Sequence, residues 1–132
     1  MRRSPRRPAN GGGANRGTVD VSVEMLFGMI AVIFVLLAMF EAVAYWHARN
    51  VFDDAASDGV RIAAAYDGTC ADGVATARAA ITRQANSWAE QVDVTCIDGP
   101  MVTITVTGVT PGVVGGSIGF HASVSESTPR ER

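Results

Sequence analysis

The longest stretch of the chain without a polar or charged side chain is residues 25–40, sixteen positions in a row. After a single Glu41, the apolar character continues to Trp46. As an α-helix, residues 25–46 would extend about 33 Å, which is enough to cross the hydrocarbon core of a bilayer. A helix that is apolar on every side exceeds what a chain of 132 residues can bury. The pattern therefore predicts one transmembrane helix.

The charges on either side of this segment predict its orientation. Residues 1–19 contain five arginines and no acid, whereas from His47 onward ten acids outnumber six arginines. Because positive charge is retained in the cytoplasm, we expect a cytoplasmic N-terminus and an exported remainder, with Tyr45 and Trp46 as aromatic anchors at the outer interface. Residues 1–19 have little to bury, so they are predicted to be a disordered basic leader. They contain no interleaved aromatic residues, and no nucleic-acid partner is predicted.

The helix is predicted to continue beyond the membrane, so that one helical segment spans residues 20–66. Its apolar positions recur at steps of three and four residues: Ala48, Val51, Phe52, Ala55, Ala56, Gly59, Ile62, Ala63 and Tyr66. These side chains are mostly small and would permit close approach to a partner surface. The Asp53-Asp54 pair on the other side is interpreted as a solvated face, and Asp67-Gly68 is the expected helix stop.

Residues 67–132 are predicted to form a small extracytoplasmic α+β domain. A second helix is expected from about Gly73 to about Glu90, with Asp72 as its N-cap and with Trp88 in the core. Period-two alternation then predicts three strands. Their inward positions are Val92, Val94 and Cys96; Val102, Ile104 and Val106; and Ile118, Phe120, Ala122 and Val124. We expect a three-stranded antiparallel sheet packed on a helix, followed by a frayed tail from Ser125.

The two cysteines, Cys70 and Cys96, suit an exported domain. They are separated by 25 residues and form no C-x-x-C motif, which argues against redox catalysis and zinc binding. A disulfide between them would stabilise the fold by about 3 kcal/mol. Two buried free thiols are the alternative if this part of the chain stays in the cytoplasm.

The segment that enters the membrane has a recognisable layout. A basic leader ends in Arg16-Gly17, and Val23-Glu24-Met25 opens the long apolar helix. With the alanine- and arginine-containing run after the membrane and the Thr/Val-rich strands, residues 16–125 resemble the TadE-like minor pseudopilins of tight-adherence (Flp) pilus systems. The resemblance implies a pilin-like fold.

The resemblance also implies roles for particular residues. Prepilin peptidase would cut after Gly17 and leave Thr18 as the first mature residue. Glu24 would pair with the freed amine of a neighbouring subunit and set the register, because either charge left unpaired in the membrane is costly. In pilins this glutamate is the fifth mature residue, whereas counting from Gly17 makes Glu24 the seventh. A fifth position would require a cut between Val19 and Asp20, and an uncut chain would be an anchored accessory protein.

The function implied by the resemblance is structural, in a bacterial cytoplasmic membrane. The expected partners are the bilayer, other pilins or pseudopilins, the assembly platform and prepilin peptidase. An alternative is a signal-anchored or secreted binding module unrelated to pili, because residues 42–44 form an A-x-A triplet suited to signal-peptidase release at Tyr45. The sequence provides no catalytic constellation around His47 or His121, so we predict no enzyme, cofactor, metal site or small-molecule substrate.

Overall fold

The computed structural model describes Ser4, residues 15–85, 91–110, Gly112 and 120–132, with the side chains of α1 described from Ser22 onward. The helix α1 spans Asn15–Ala64, α2 spans Cys70–Ala85, and the strands are β1 (Val92–Ile97), β2 (Met101–Val109) and β3 (His121–Pro129). Residues Ala38–Arg132 form one compact unit, and the chain before Ala38 forms another. The predicted α+β class, with a long apolar helix, a short helix and a three-stranded antiparallel sheet, is confirmed.

One face of the second half of α1 is the centre of the core. Phe52 is the largest fully buried side chain, and its ring tip lies where a side chain at Gly108 of β2 would be. The buried apolar residues of the domain are Ala48, Val51, Phe52, Ala55, Ala56, Val60, Ala63 and Ala64 of α1; Ala77, Ala80, Ile81 and Ala85 of α2; and Val92, Val94, Val102, Ile104, Val106 and Ala122 of the sheet. The predicted small-residue stripe therefore packs against the chain's own sheet and second helix.

Two members of the predicted stripe are wrong. Ile62 and Tyr66 are 45% and 78% exposed, and the buried positions at this end of α1 are Val60 and Ala64. The apolar letters alone fit both choices, because Ile62 continues a three-residue step from Gly59 and Val60 a four-residue step from Ala56. Two residues apart, Val60 and Ile62 lie on nearly opposite sides of the helix. The sheet and α2 decide which side is covered.

The two helices approach each other at a pair of glycines. A Cβ on Gly59 would lie 2.8 Å from the carbonyl oxygen of Gly73, and a Cβ on Gly73 would lie 2.6 Å from the Cβ of Ala63. Real Cβ atoms do not come this close to other atoms, so both positions require glycine at this separation of the backbones. The small residues that the sequence offered to an external partner serve this internal contact.

The connection between the helices combines a glycine stop with a capping box. A side chain at Gly68 would collide with the carbonyl oxygen of Ile62. Thr69 then caps α2: the Asp72 backbone N–H donates to Thr69 Oγ1 (3.2 Å), and the Thr69 N–H donates to Asp72 Oδ2 (3.2 Å). The prediction that Asp72 is the N-cap is wrong, because the N-cap is Thr69, three residues earlier. Asp72 is the third residue of the helix, and its carboxylate accepts the hydrogen bond that completes the capping box. The predicted Trp88 end of this helix lies outside the described residues.

The sheet is an antiparallel meander in the order β1-β2-β3. Val94 of β1 faces Val106 of β2, which in turn faces Val124 of β3. The predicted frayed tail is wrong, because β3 continues to Pro129, which pairs with Met101. Beyond Val124 the strand is polar on both sides, with Glu126 and Thr128 half-buried on the inner side and Ser125 and Ser127 exposed on the outer side.

The outward face of the sheet is a ladder of hydroxyl pairs. Thr103 is hydrogen-bonded to Ser127 at 2.7 Å, and the next two pairs along the strands are Thr105 with Ser125 and Thr107 with Ser123. Cross-strand pairs of this kind stabilise a sheet by about 0.2–1 kcal/mol each. The alternation of threonine and valine in β2 thus provides one dry face and one hydrogen-bonded face.

Arg130 and Glu131 are hydrogen-bonded to the end of the domain where α1 ends. The Arg130 guanidinium donates to the carboxylate of Asp98 and to the carbonyl oxygen of Gly68. Next to it, the backbone N–H of Glu131 donates to the carbonyl oxygen of Ala64 at 2.9 Å. These bonds join the end of α1, the β1–β2 turn and the last residues of the chain.

The disulfide between Cys70 and Cys96 is present, with the two Cα atoms 5.6 Å apart. Cys70 is the first residue of α2 and does not precede the helix as predicted. The bond ties the start of α2 to β1, whose edge also carries an exposed ion pair between Arg78 and Asp93.

We predict that Gly73→Ala destabilises the domain by about 1–3 kcal/mol, because the added methyl group must push apart two backbones. For a domain of this size, each kcal/mol lowers the melting temperature by about 4–8 °C. Circular dichroism of the chain in detergent micelles measures the shift. Gly99→Ala is the matched control, since its nearest new contact is an ordinary 3.5 Å. Equal melting temperatures for the two variants would contradict the close crossing of the helices.

We predict that replacing both Cys70 and Cys96 by alanine lowers the free energy of unfolding by about 3 kcal/mol, because the unfolded chain gains freedom when the loop is opened. Urea unfolding of the wild type and the double variant measures the difference. Reductant should lower the midpoint of the wild type and leave that of the variant unchanged. A wild type insensitive to reductant would show that the bond contributes nothing to stability.

Candidate membrane segment and assembly surface

The first half of α1 has no apolar covering within the described residues. Its most apolar 18-residue window has a mean hydropathy of 2.6, and none of that window is buried. The exposed large side chains include Met25, Phe34 and Phe40, at 73%, 69% and 61% exposure. In the described part of the chain this is the one helix long and apolar enough to cross a membrane. It is a candidate single-pass anchor.

Glu24 stands directly before this apolar surface. Its side chain is exposed, and none of the described side chains forms an ion pair with it. A carboxylate at this position can reach the membrane boundary or a cation on another chain. Its proposed role in assembly register stays a prediction.

The candidate processing residues Gly17 and Thr18 fall within α1, which begins at Asn15, inside the predicted leader. Their side chains lie outside the described residues, and so does most of the leader. Cleavage therefore stays a prediction, as does the alternative cut between Val19 and Asp20. The A-x-A triplet at residues 42–44 also lies within α1.

Glu41 has a structural role that sequence reasoning missed. It is half-buried, and its carboxylate lies so close to the backbone of Gly112 that a side chain there would collide with Glu41 Oε1. From the sequence, Glu41 was only a single charge that interrupts the apolar run. Nothing local in the sequence could reveal the contact, because Gly112 is remote along the chain.

A second contact between the same two regions joins two aromatic rings. Tyr45 of α1 and Phe120, just before β3, meet edge to face with ring centroids 6.1 Å apart. Together with Ala38, Glu41, Ala42 and His121, they line an open and mainly apolar groove. The groove lies at the outer end of the apolar segment and carries no arrangement suited to catalysis.

The remaining candidate ligands are dispersed. His47 and His121 are both exposed. Among the described residues, no group of three His, Cys, Asp or Glu side chains could hold a metal ion. The acidic pair Asp53-Asp54 is exposed on α1, on the side away from the core.

Comparison with known proteins gives one match. The family model described as TadE-like protein matches residues 21–61, which confirms the resemblance over the membrane segment and most of the α1 core face. The matched segment is about a third of the chain. No curated protein matches the chain, and neither does any solved structure.

We predict that Val35→Arg removes the protein from the membrane fraction, since an arginine at the centre of a membrane helix costs about 2.5–3.5 kcal/mol. Val35 is 55% exposed near the middle of the apolar segment. Extraction of membranes with alkaline carbonate measures the effect. Ile62→Arg is the matched control on the same helix, at a position 45% exposed in the folded domain. Equal retention of the two variants would contradict a membrane location for the apolar half.

Proposed function

We propose, from the TadE-like match over residues 21–61, that the protein is a minor pseudopilin or assembly accessory of a tight-adherence (Flp, type IVb) pilus or a related secretion system. It acts structurally, anchored in a bacterial cytoplasmic membrane with its N-terminus in the cytoplasm and its α+β domain outside. The observation that carries the proposal is that the match includes Glu24, the apolar segment and the helical core face together.

The exposure of the apolar segment supports a role through helix packing. Every side chain from Val23 to Phe40 is exposed, so this part of α1 can contact lipid or other helices on all sides. Other pilins, pseudopilins and the assembly platform offer such helices. Within a bundle, Glu24 supplies a negative charge at the cytoplasmic end, where a freed N-terminal amine of a neighbour would neutralise it.

The exported domain supports the same role. Its small core is reinforced by the Cys70–Cys96 disulfide and the Arg130 contacts at the membrane-distal end. These features give a rigid module that can contact other subunits outside the cytoplasm. The proposed orientation follows the five arginines of the leader.

The mature N-terminus tests the proposal directly. The protein is isolated from native membranes without reductant, and its intact mass is measured. A start at Thr18 or Asp20 is expected for a processed pseudopilin, and an intact N-terminus for an anchored accessory. A start at Tyr45 would contradict both, because release at that point separates the domain from its anchor.

We predict that Glu24→Gln reduces piliation and co-purification with pilins at least about tenfold, the effect of losing about 1.4 kcal/mol of subunit pairing. Asp58→Asn is the matched control, an acid on the exposed side of α1 outside the membrane. Both variants are expressed from the native locus, and immunoblots verify equal amounts in the membrane. Normal piliation with Glu24→Gln would contradict a register role for this residue.

A further inference from the structure

A group of exposed apolar side chains surrounds the point where α1 leaves the predicted bilayer. Val43 and Trp46 of α1 are 63% and 66% exposed, and Phe120, from the other end of the sequence, is 57% exposed. Tyr45 joins them through its edge-to-face contact with Phe120. These four residues are called the interfacial cluster. Only three of them are adjacent to the membrane in sequence.

Phe120 is held at this level by several contacts. Its carbonyl oxygen accepts hydrogen bonds from the Thr110 backbone N–H (2.8 Å) and hydroxyl (3.0 Å), and Thr110 is itself buried. The Tyr45 ring packs against the Phe120 side chain, and Glu41 contacts Gly112 one helical turn closer to the membrane. Because the ring centroids are 6.1 Å apart, the depths of Phe120 and Tyr45 differ by no more than that distance.

The charge pattern of the domain permits this end to approach lipid. Residues 99–125 contain no Asp, Glu, Lys or Arg, and Asp98 and Arg130 pair at the opposite end of β2. Asp93, opposite Thr107 on the Phe120 side of the sheet, is paired with Arg78. Amphipathic aromatic rings favour the layer between lipid head groups and acyl chains. An exposed phenylalanine in water would also forgo about 1.5–3 kcal/mol of burial. The position, polarity and exposure of the interfacial cluster thus all favour contact with phospholipid.

We propose that the interfacial cluster inserts into the outer interfacial layer of the phospholipid bilayer, so that Phe120 is a second membrane contact beside the transmembrane helix. The folded domain is then held against the membrane surface by two elements, so that its tilt relative to the bilayer is restricted. The inference rests on the membrane crossing of α1 and does not depend on a role in pili.

Depth-dependent fluorescence quenching tests the proposal on the full chain in phosphatidylcholine–phosphatidylglycerol vesicles. Phe120→Trp is made in a Trp46→Phe, Trp88→Phe background, so that it is the single tryptophan. Ile97→Trp in the same background is the matched control, an exposed apolar residue (67%) near the opposite end of the domain. Lipids brominated at different depths are the quenchers.

We expect tryptophan at 120 to show blue-shifted emission and several-fold stronger quenching than tryptophan at 97, strongest with bromine near the glycerol end of the chains. Unquenched emission at long wavelength would place Phe120 in water and overturn the proposal. Blue-shifted but unquenched emission would overturn it as well, because the cluster would then be covered by a second copy or another protein.

Two further measurements keep the test decisive. Trp46 in a Trp88→Phe chain reports the membrane crossing itself, so quenching of Trp46 without quenching at 120 overturns the inference alone. If neither is quenched, the membrane anchor fails as well. Should Phe120→Trp disturb the fold, 4-fluorophenylalanine at 120 reports the same depth through fluorine line broadening by spin-labelled lipids.

Discussion

The burial of one face of α1 beneath β2 and α2 is the contact on which the rest of the domain depends. Phe52 packs into the space that Gly108 leaves open. The backbones of Gly59 and Gly73 are so close that neither residue has room for a Cβ. Both contacts are steric, so the positions of the sheet and of α2 are fixed by the absence of side chains at three glycines. The disulfide, the capping box and the Arg130 contacts then close the remaining edges of a small core.

The two halves of α1 suit two different solvents, lipid and water. Its second half covers a core with one face and exposes charged residues on the other, while its first half exposes apolar side chains on all sides. An amphipathic helix suits water and an all-apolar helix suits lipid. The change between the two patterns occurs within one continuous helix, α1 (Asn15–Ala64), near Glu41 and Tyr45. Two contacts lie at that boundary: the Glu41 carboxylate with Gly112, and the Tyr45 ring with the Phe120 ring.

Local patterns predicted the elements, and distant contacts decided the details. The uninterrupted apolar run, the alternation in β2 and the Cys70–Cys96 pairing could be read directly, because each depends on composition or short spacing. The register of the α1 face at Val60, the extension of β3 to Pro129 and the Glu41–Gly112 contact could not, because each depends on which distant segment covers a residue. For the candidate site, the sequence provided Glu24 and the apolar segment, whereas Phe120 became part of the membrane boundary only through the fold.

Hydrogen exchange of the full chain in lipid nanodiscs, followed by mass spectrometry, tests the continuity of α1 across its two solvents. The account predicts slow amide exchange from residue 25 to residue 64 without interruption, the first part protected by lipid and the second by the core. Rapid exchange over residues 25–40, or a rapidly exchanging break between Phe40 and Ala48, would contradict the central claim that one helix serves both as membrane anchor and as the centre of the folded domain.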